Sequence, residues 1–237
     1  MISLSKRMKA VAHMVSPVGR VVDIGTDHAY IPINLVGKGI KEKALACDVN
    51  KGPLTIAQGH ISENGLEEKI GLCLSDGLKD VDIISGDSIV IAGMGGLLIK
   101  DIISSSMEKA GLAGEMILQP QSEYGQLRTF LRDSGFVIED EAALEEEGKF
   151  YFLMKTVYKP QAAGSLNEAE AEFGPILLKR RDETLKAYLE KQEAVNIEII
   201  SELNKQEEKM SILRRAEEVR CKISLIKKAL RDYYEMQ

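Results

Sequence analysis

The residues best suited to chemistry lie in one short stretch, Val21-Val22-Asp23-Ile24-Gly25-Thr26-Asp27-His28-Ala29-Tyr30. An apolar run precedes Gly25 and a helix-length segment follows it, so this loop is predicted to be the first strand-to-helix turn, where doubly wound sheets bind their ligands. A dinucleotide fingerprint needs glycine at the first, third and sixth places. Those places hold Gly25, Asp27 and Tyr30, so only the first one matches.

The two acids of this loop, Asp23 and Asp27, indicate the charge of the ligand. A helix N-terminus binds phosphate by offering positive potential, and a carboxylate there would repel a pyrophosphate. The acids instead suit a ligand with positive charge and no phosphate, such as S-adenosylmethionine, which carries a sulfonium and an α-ammonium group. Gly25 lets the backbone approach the ligand closely because it has no Cβ. Asp27 is also a candidate N-cap of the following helix, and the two roles are compatible.

Chemically useful residues follow the other predicted strands as well. Asp48 lies 23 residues after Gly25 and is expected to accept hydrogen bonds from both ribose hydroxyls. Asp76 follows the third strand, where it can accept the adenine amino group. The fourth strand ends in a Gly-rich rim. The predicted cofactor-binding residues, all near strand ends, are Asp23, Gly25, Thr26, Asp27, Asp48, Val49, Asp76, Gly77, Ala92, Gly93 and Met94.

Composition and charge exclude several classes of protein. The chain has 237 residues, of which 44% are hydrophobic and 29% charged, so disordered, collagen-like and membrane-spanning proteins are excluded. A net charge of −6 argues against a non-specific nucleic-acid binder, but it does not exclude a local basic patch. The three cysteines are scattered and the three histidines are expected to form no cluster. We therefore expect no disulfide scaffold, no metal site and a cytoplasmic location.

Short apolar runs alternate with helix-length segments in the first two thirds of the chain. The apolar residues are consecutive, as in parallel strands that are covered on both faces. The predicted strands are Val21–Gly25, Ala44–Asp48, Gly71–Leu74, Ser88–Gly93 and Met116–Gln119. The predicted helices are Tyr30–Gly39, Pro53–Asn64, Gly96–Ala110 and Tyr124–Ser134. This order predicts an α/β fold with a doubly wound sheet, and the segments 136–146 and 149–158 predict an antiparallel hairpin at its edge.

The composition changes around residues 159–165, which predicts a domain of residues 1–160 and a helical domain of residues 161–237. Gly174-Pro175 is a helix-start signal. Apolar residues then recur at alternating spacings of four and three, a coiled-coil seam that Gln192 and Asn196 interrupt. Its second half consists of Ile212, Ala216, Val219, Ile223, Ile226, Leu230 and Tyr233. Two helices that meet between Asn204 and Ser211 would form an antiparallel coiled-coil hairpin; the alternative is one long oligomerisation arm.

The N-terminal segment predicts an amphipathic helix, with Leu4, Met8 and Val11 on one face and Lys6 and Lys9 on another. No acidic residue occurs before Asp23, although the whole chain is acidic. The helix either caps the sheet or contributes a patch that contacts phosphates.

These motifs resemble those of the TrmK (YqfN-like) family of bacterial tRNA adenine-N1 methyltransferases. The resemblance covers essentially the whole chain. The motifs that carry it are Leu4-Ser5-Lys6-Arg7, the stretch from Asp23 to Pro32, Ser75-Asp76-Gly77-Leu78, Ile91-Ala92-Gly93-Met94-Gly95-Gly96, Ile117-Leu118-Gln119-Pro120 and Phe173-Gly174-Pro175. Gln121 departs from the asparagine that is common in the family.

The resemblance implies a class I Rossmann-like methyltransferase with a mostly parallel, seven-stranded sheet and a C-terminal coiled-coil domain. It also implies methylation of N1 of the adenine at position 22 of tRNA, with S-adenosylmethionine as the cofactor. We expect Asp27, His28 and Tyr30 to be the catalytic residues, although His28 can equally be a satisfied capping histidine. The residues expected to bind tRNA are Lys6, Arg7, Gly95, Gly96, Gln119, Pro120, Gln121, Arg214 and Arg215.

Three other functions remain as alternatives. The first is a methyltransferase of another RNA or of a small molecule, and the second is a non-catalytic coiled-coil interaction protein with a vestigial nucleotide domain. The third, a nicotinamide oxidoreductase, is disfavoured by Asp27 and the missing glycines. We expect tRNA as the partner, no membrane association, and a monomer or weak dimer.

Overall fold

The computed structural model describes residues 3–162, 164–206 and 209–235. The chain divides into two compact units, Met1–Ser165 and Leu166–Gln237. Each unit has its own secondary structure and is described by itself.

The first unit is built on a seven-stranded sheet of order β3-β2-β1-β4-β5-β7-β6. β1 to β5 run parallel, and β7 is antiparallel to both β5 and β6. The strands are β1 Val21–Ile24, β2 Ala44–Asp48, β3 Ile70–Leu74, β4 Ser88–Met94, β5 Glu115–Pro120, β6 Phe136–Glu146 and β7 Lys149–Tyr158. The predicted parallel sheet and its edge hairpin are confirmed.

Helices cover both faces of this sheet, as the apolar character of the strands predicts. The helices are α1 Lys6–Met14, α2 Tyr30–Gly37, α3 Lys51–Glu63, α4 Gly96–Ser104, α5 Met107–Leu112 and α6 Tyr124–Asp133. Apolar residues of α1, α2 and α3 form the core on one face, and those of α4, α5 and α6 form it on the other. Val21 and Val22 show the alternation within one strand, since they belong to opposite cores.

The predicted helix Gly96–Ala110 is wrong in one respect, because it breaks into α4 and α5. Three serines lie at the break. The hydroxyls of Ser104 and Ser105 donate to the carbonyls of Asp101 and Ile102, and such local bonds compete with a continuous helix.

The second unit is helical, with α7 Glu168–Phe173, α8 Pro175–Arg180, α9 Glu183–Leu203, α10 Met210–Ala229 and a final π-helical turn Leu230–Glu235. A left-handed Arg181 and an N-cap at Asp182 separate α8 from α9. Residues 207 and 208, in the predicted turn, lie outside the described residues. None of the helices in the described part of the chain is long and apolar enough to cross a membrane.

Helices α9 and α10 pack against each other in antiparallel directions. Lys227 Nζ lies 3.7 Å from Glu193 Oε1, while Arg220 donates to Asn204 Oδ1 at 3.3 Å. Lys227 lies later on α10 than Arg220, whereas its partner Glu193 lies earlier in the chain than Asn204, the residue that follows α9. The two helices therefore run in opposite directions. A full coiled-coil geometry stays a prediction.

Candidate functional site

A cavity of about 380 Å³ opens at the carboxyl edge of the parallel strands. β2, β1 and β4 are neighbours in the sheet, so the loops that follow them meet at this edge. The lining residues come from these loops, from the end of β5 and from helices α1 and α2. They are Arg7, Met8, Val11, Asp23, Gly25, Asp27, Tyr30, Ile31, Asp48, Ala92, Gly93, Met94 and Gln121.

Asp23 is the buried acid of the cavity, only 5% exposed. The hydroxyl of Thr26 donates to its Oδ2 at 2.7 Å. Burial raises the pKa of Asp23 from 3.8 to about 6; the Thr26 bond opposes this rise, and the negative charges of Asp27 and Asp48 add to it. A cationic ligand in the cavity would relieve this unfavourable charge.

Two further carboxylates, Asp27 and Asp48, line the same cavity. Oδ1 of Asp48 accepts the backbone N–H of Asn50 at 2.7 Å, which fixes its carboxylate at the tip of β2. The Asp27 side chain is 72% exposed and lies 3.0 Å from Nε2 of His28. Ala29, not Asp27, occupies the N-cap position of α2 and no side chain caps this helix, so the prediction that Asp27 also serves as its N-cap is wrong.

The backbone of the first loop is unusual. Gly25 has φ 70°, and a Cβ added there would lie 2.0 Å from the Cε methyl group of Met94. His28 and Ala29 also have positive φ, 63° and 57°, which residues with a side chain rarely adopt. Strained backbone of this kind is often found at functional sites.

His28, Tyr30 and His60 form an aromatic cluster beside the cavity. The rings of His28 and Tyr30 stack at 5.2 Å, and those of Tyr30 and His60 at 5.3 Å. His60 Nδ1 lies 3.1 Å from the carbonyl of His28, and His28 Nδ1 is buried without a hydrogen-bond partner among the described residues. The expectation that the histidines stay apart is therefore wrong for this pair, because α3 brings His60 onto the loop.

The described residues contain no group of three or more His, Cys, Asp or Glu side chains placed to hold a metal ion.

Arg7 brings a positive charge to the acidic cavity. Its Nη1 donates to Gln119 Oε1 at 2.8 Å, and its guanidinium lies 5.6 Å from the centre of the Tyr151 ring. The backbone N–H of Gly93 donates to the same oxygen of Gln119 at 3.1 Å. Gln119 is fully buried and its Nε2 bonds to Pro120 O, so Gln119 holds Arg7 and the β4 rim in place instead of facing the cavity.

The N-terminus of α1 is held by the end of β6, next to the turn of the β6–β7 hairpin. The carboxylate of Glu146 accepts the backbone N–H groups of Lys6 and Arg7. The Lys6 ammonium donates to the carbonyl of Glu145 at 2.9 Å. Lys6, expected to bind tRNA, is thus engaged within the protein.

Several other predicted cofactor residues do not line the cavity. Thr26 is buried, and its hydroxyl donates a hydrogen bond to Asp23. The Asp76 carboxylate pairs with Lys79, while Gly77 is buried where a Cβ would touch Ile102. Val49 is 59% exposed, next to Asp48.

The predicted tRNA-binding residues divide in the same way. Gln121 lines the cavity. Gly95 and Gly96 instead permit close packing of the α4 turn against the loop after β5, since a Cβ on Gly96 would lie 2.5 Å from the carbonyl of Ser122. Pro120 is buried as the last residue of β5. Arg214 and Arg215 are exposed on α10 of the second unit.

Some residues of the site were not predicted. Met8, Val11 and Ile31 line the cavity, and His60 stacks beside it. The amphipathic pattern of the N-terminal segment was the available signal for the first two. Nothing in the local sequence links His60 to the loop of His28.

Comparisons with known proteins agree with this architecture. Residues 4–154 match the model of a methyltransferase domain family. The tRNA (adenine(22)-N(1))-methyltransferase of Bacillus subtilis is 32% identical over 184 residues, which are 76% of this chain and 77% of that protein.

Two solved structures share the fold over nearly their whole length. Sp1610 of Streptococcus pneumoniae, in complex with S-adenosyl-L-methionine, is 33% identical with a TM-score of 0.83, covering 96% of this chain and 100% of that one. M. capricolum TrmK, in complex with S-adenosyl-homocysteine, is 28% identical with a TM-score of 0.83, covering 97% and 99%. With its acidic cavity at the strand ends, this chain belongs to the TrmK family of tRNA (adenine(22)-N(1))-methyltransferases.

Proposed function

We propose that the protein transfers a methyl group from S-adenosylmethionine to N1 of the adenine at position 22 of tRNA, as its B. subtilis relative is named for doing. The observation that carries this proposal is the cavity in which Asp23, Asp27 and Asp48 meet Arg7 at the carboxyl edge of the sheet.

The charges of the cavity fit this cofactor. S-adenosylmethionine is cationic at its sulfonium and ammonium groups and anionic at its carboxylate. Asp23 and Asp27 suit the cationic groups, and Asp48 suits the ribose hydroxyls. Arg7 is the residue that would pair with the carboxylate, because its guanidinium is held at the cavity by Gln119. The small residues Gly25 and Gly93 leave room between these charged groups.

The bound cofactor supplies a methyl group on a positively charged sulfur. Adenine N1 has a free lone pair, so the protein needs no base to activate it and must chiefly align the two reactants. The methylated base is cationic, and the carboxylate of Asp27 can stabilise that developing charge. His28 and Tyr30, stacked beside the cavity, present aromatic surface and hydrogen-bonding groups to the base.

N1 lies on the Watson–Crick edge, so the target adenine must be unpaired or flipped out, at a cost of a few kcal/mol. Contacts between tRNA and the rest of the protein have to offset this cost. Between Lys205 and the C-terminus, nine Lys or Arg outnumber six Asp or Glu. We assign tRNA binding to this helical unit, including Arg214 and Arg215, and we place the protein in the cytoplasm as a monomer or weak dimer.

The experiment is methyl transfer from labelled S-adenosylmethionine to two transcripts of one tRNA, with adenine or guanine at position 22. We expect label only in the first, and mass spectrometry should locate it as N1-methyladenosine. Equal labelling of both transcripts would favour another RNA site. Labelling of neither, with cofactor binding intact, would favour a small-molecule substrate or a non-catalytic protein.

A further inference from the structure

The helical unit contains a cavity of about 370 Å³ that the proposed methyl transfer does not use. It lies between α7, α9 and α10, and every residue that lines it belongs to this unit. Phe173, Ile199 and Leu225 supply apolar walls. Lys222 and Arg215 are exposed and carry positive charge, and Arg215 also pairs with Glu218 at 3.0 Å. These features suit a flat, largely apolar group attached to an anion.

Asn196 provides the second observation. This residue is 8% exposed, lines the cavity and interrupts the apolar seam of α9. Its Nδ2 donates to the carbonyl of Gln192 at 2.7 Å, whereas its Oδ1 has no hydrogen-bond partner among the described residues. This amide oxygen can accept a hydrogen bond from a ligand N–H in the cavity.

We propose that this cavity receives one unpaired base of the tRNA, an inference that rests on the proposed function. Single-stranded nucleotides are recognised by stacking of the base and by hydrogen bonds to its edge. Here the base would pack on the walls around Phe173 and donate an N–H to Asn196. Arg215 and Lys222 would contact the adjoining phosphates.

The acids of the cavity refine the choice of base. Glu168 and Glu172 line it from α7. Carboxylates accept hydrogen bonds from exocyclic amino groups and repel phosphate. The two carboxylates therefore favour a base that carries an amino group. The edge of this base would enter the cavity, and its phosphates would lie near α10. Arg214, Lys222 and Lys228 on α10 make no ion pair within the described residues and remain available to the backbone.

A purely structural role for Asn196 makes a different prediction. A buried Asn in a helix pair can specify the register of the helices, at a cost in stability. In that case its replacement would change folding and leave tRNA binding alone.

The main test is a substitution that fills the cavity, compared with a matched control substitution on the same helix. Val195 lines the cavity and is 40% exposed; Ile197 is 46% exposed and does not line it. Val195→Trp should weaken tRNA binding by the full-length protein about tenfold, the effect of one lost stacking contact. Ile197→Trp should bind tRNA like the wild type. Equal tRNA affinities of the two variants, both folded by circular dichroism, would overturn the proposal.

A second variant decides the question even if Val195→Trp does not fold. Asn196→Leu should weaken tRNA binding about fivefold, as expected for one lost hydrogen bond, without lowering the melting temperature. The salt dependence of its tRNA affinity should stay that of the wild type, because no phosphate contact is removed. A changed melting temperature with unchanged tRNA affinity would show a structural role and reject the base site.

The two proposals fail separately. If the wild type methylates adenine N1 and both cavity variants bind tRNA normally, only the base site is wrong. If the wild type transfers no methyl group to tRNA, the proposed function is wrong whatever the binding measurements give.

Discussion

The Nη1 atom of Arg7 lies 2.8 Å from Oε1 of Gln119, although the two residues are 112 positions apart in the chain. This bond ties helix α1 to the buried end of β5. Because Gln119 also accepts the amide of Gly93, one side chain fixes both the cation of the cavity and its glycine rim.

Replacing Arg7 should therefore weaken cofactor binding. Arg7→Gln removes the charge that we pair with the cofactor carboxylate, and we expect a 10- to 100-fold loss of affinity, about 1.5–3 kcal/mol. Arg7→Lys should recover only part of it, since lysine lacks the planar fork. Isothermal titration with S-adenosylhomocysteine measures both. Lys9→Gln, on the exposed face of the same helix, is the control and should bind normally; an unaffected Arg7→Gln would remove Arg7 from the cofactor site.

Glu146 should matter to cofactor binding without touching the cavity. Its carboxylate accepts the first amides of α1, a favourable position for a negative charge. Glu146→Ala should cost about 1 kcal/mol of stability and reduce cofactor affinity a few-fold, because Arg7 is then less firmly placed.

Glu145→Ala is the matched control for that variant. Glu145 contacts Lys6 through its backbone carbonyl, which the substitution retains. If the two variants have the same cofactor affinity and the same denaturation midpoint, the hairpin does not position α1.

The raised pKa of Asp23 predicts how stability depends on pH. Its pKa is about 6 in the folded protein and 3.8 in an unfolded chain, so the folded state binds a proton more readily between these values. Stability from this group is therefore greatest below about pH 4 and declines as the pH rises through 6. Asp23→Asn should be more stable than the wild type at pH 7, by up to about 3 kcal/mol, and equal to it at pH 4.

Urea denaturation across this pH range checks the prediction, and the ligand should show the opposite trend. A cationic cofactor favours ionised Asp23, so wild-type affinity should fall as the pH drops from 7 to 5. A pH-independent difference in stability between wild type and Asp23→Asn would contradict the raised pKa.

His60 is expected to position the loop of Asp27 and His28, to which we assign the catalytic role. It stacks on Tyr30 and contacts the His28 carbonyl, so His60→Ala should lower kcat about tenfold, within the range for displaced catalytic groups. His60→Phe keeps the ring and should retain more activity. Cofactor affinity should stay unchanged in both variants, and His13→Gln on α1 is the control. If His60→Ala lowered only the cofactor affinity and left kcat unchanged, His60 would not position the loop for methyl transfer.

Much of the fold follows from local patterns in the sequence. β2 begins and ends at the predicted residues because its apolar run is bounded by charged and polar residues at both ends. The hairpin strands β6 and β7 are equally well defined by the turn at Gly148. The break between α4 and α5 was missed because three serines alone do not require a helix to end.

The site was predictable where it depends on strand ends and not where it depends on distant segments. Asp23, Asp27 and Asp48 line one cavity because parallel strands end at one edge of the sheet, and their roles in cofactor binding stay predictions. Gln119 and Thr26 were predicted as site residues, but only the structure shows that Gln119 accepts a hydrogen bond from Arg7 and that Thr26 donates one to Asp23. The contact of Glu146 with α1 joins residues about 140 positions apart, which no local pattern encodes.

The central claim is that the acidic cavity holds the methyl donor, and calorimetric titration of S-adenosylmethionine tests it most directly. Wild type and Asp133→Ala, whose exposed carboxylate pairs with Arg132 at the end of α6 outside the cavity, should bind it with similar affinity. Asp48→Ala should bind at least tenfold more weakly, as the loss of hydrogen bonds to a charged group implies. NAD should give no binding heat with any of them. Tight NAD binding, or a donor affinity that Asp48→Ala leaves untouched, would contradict the account.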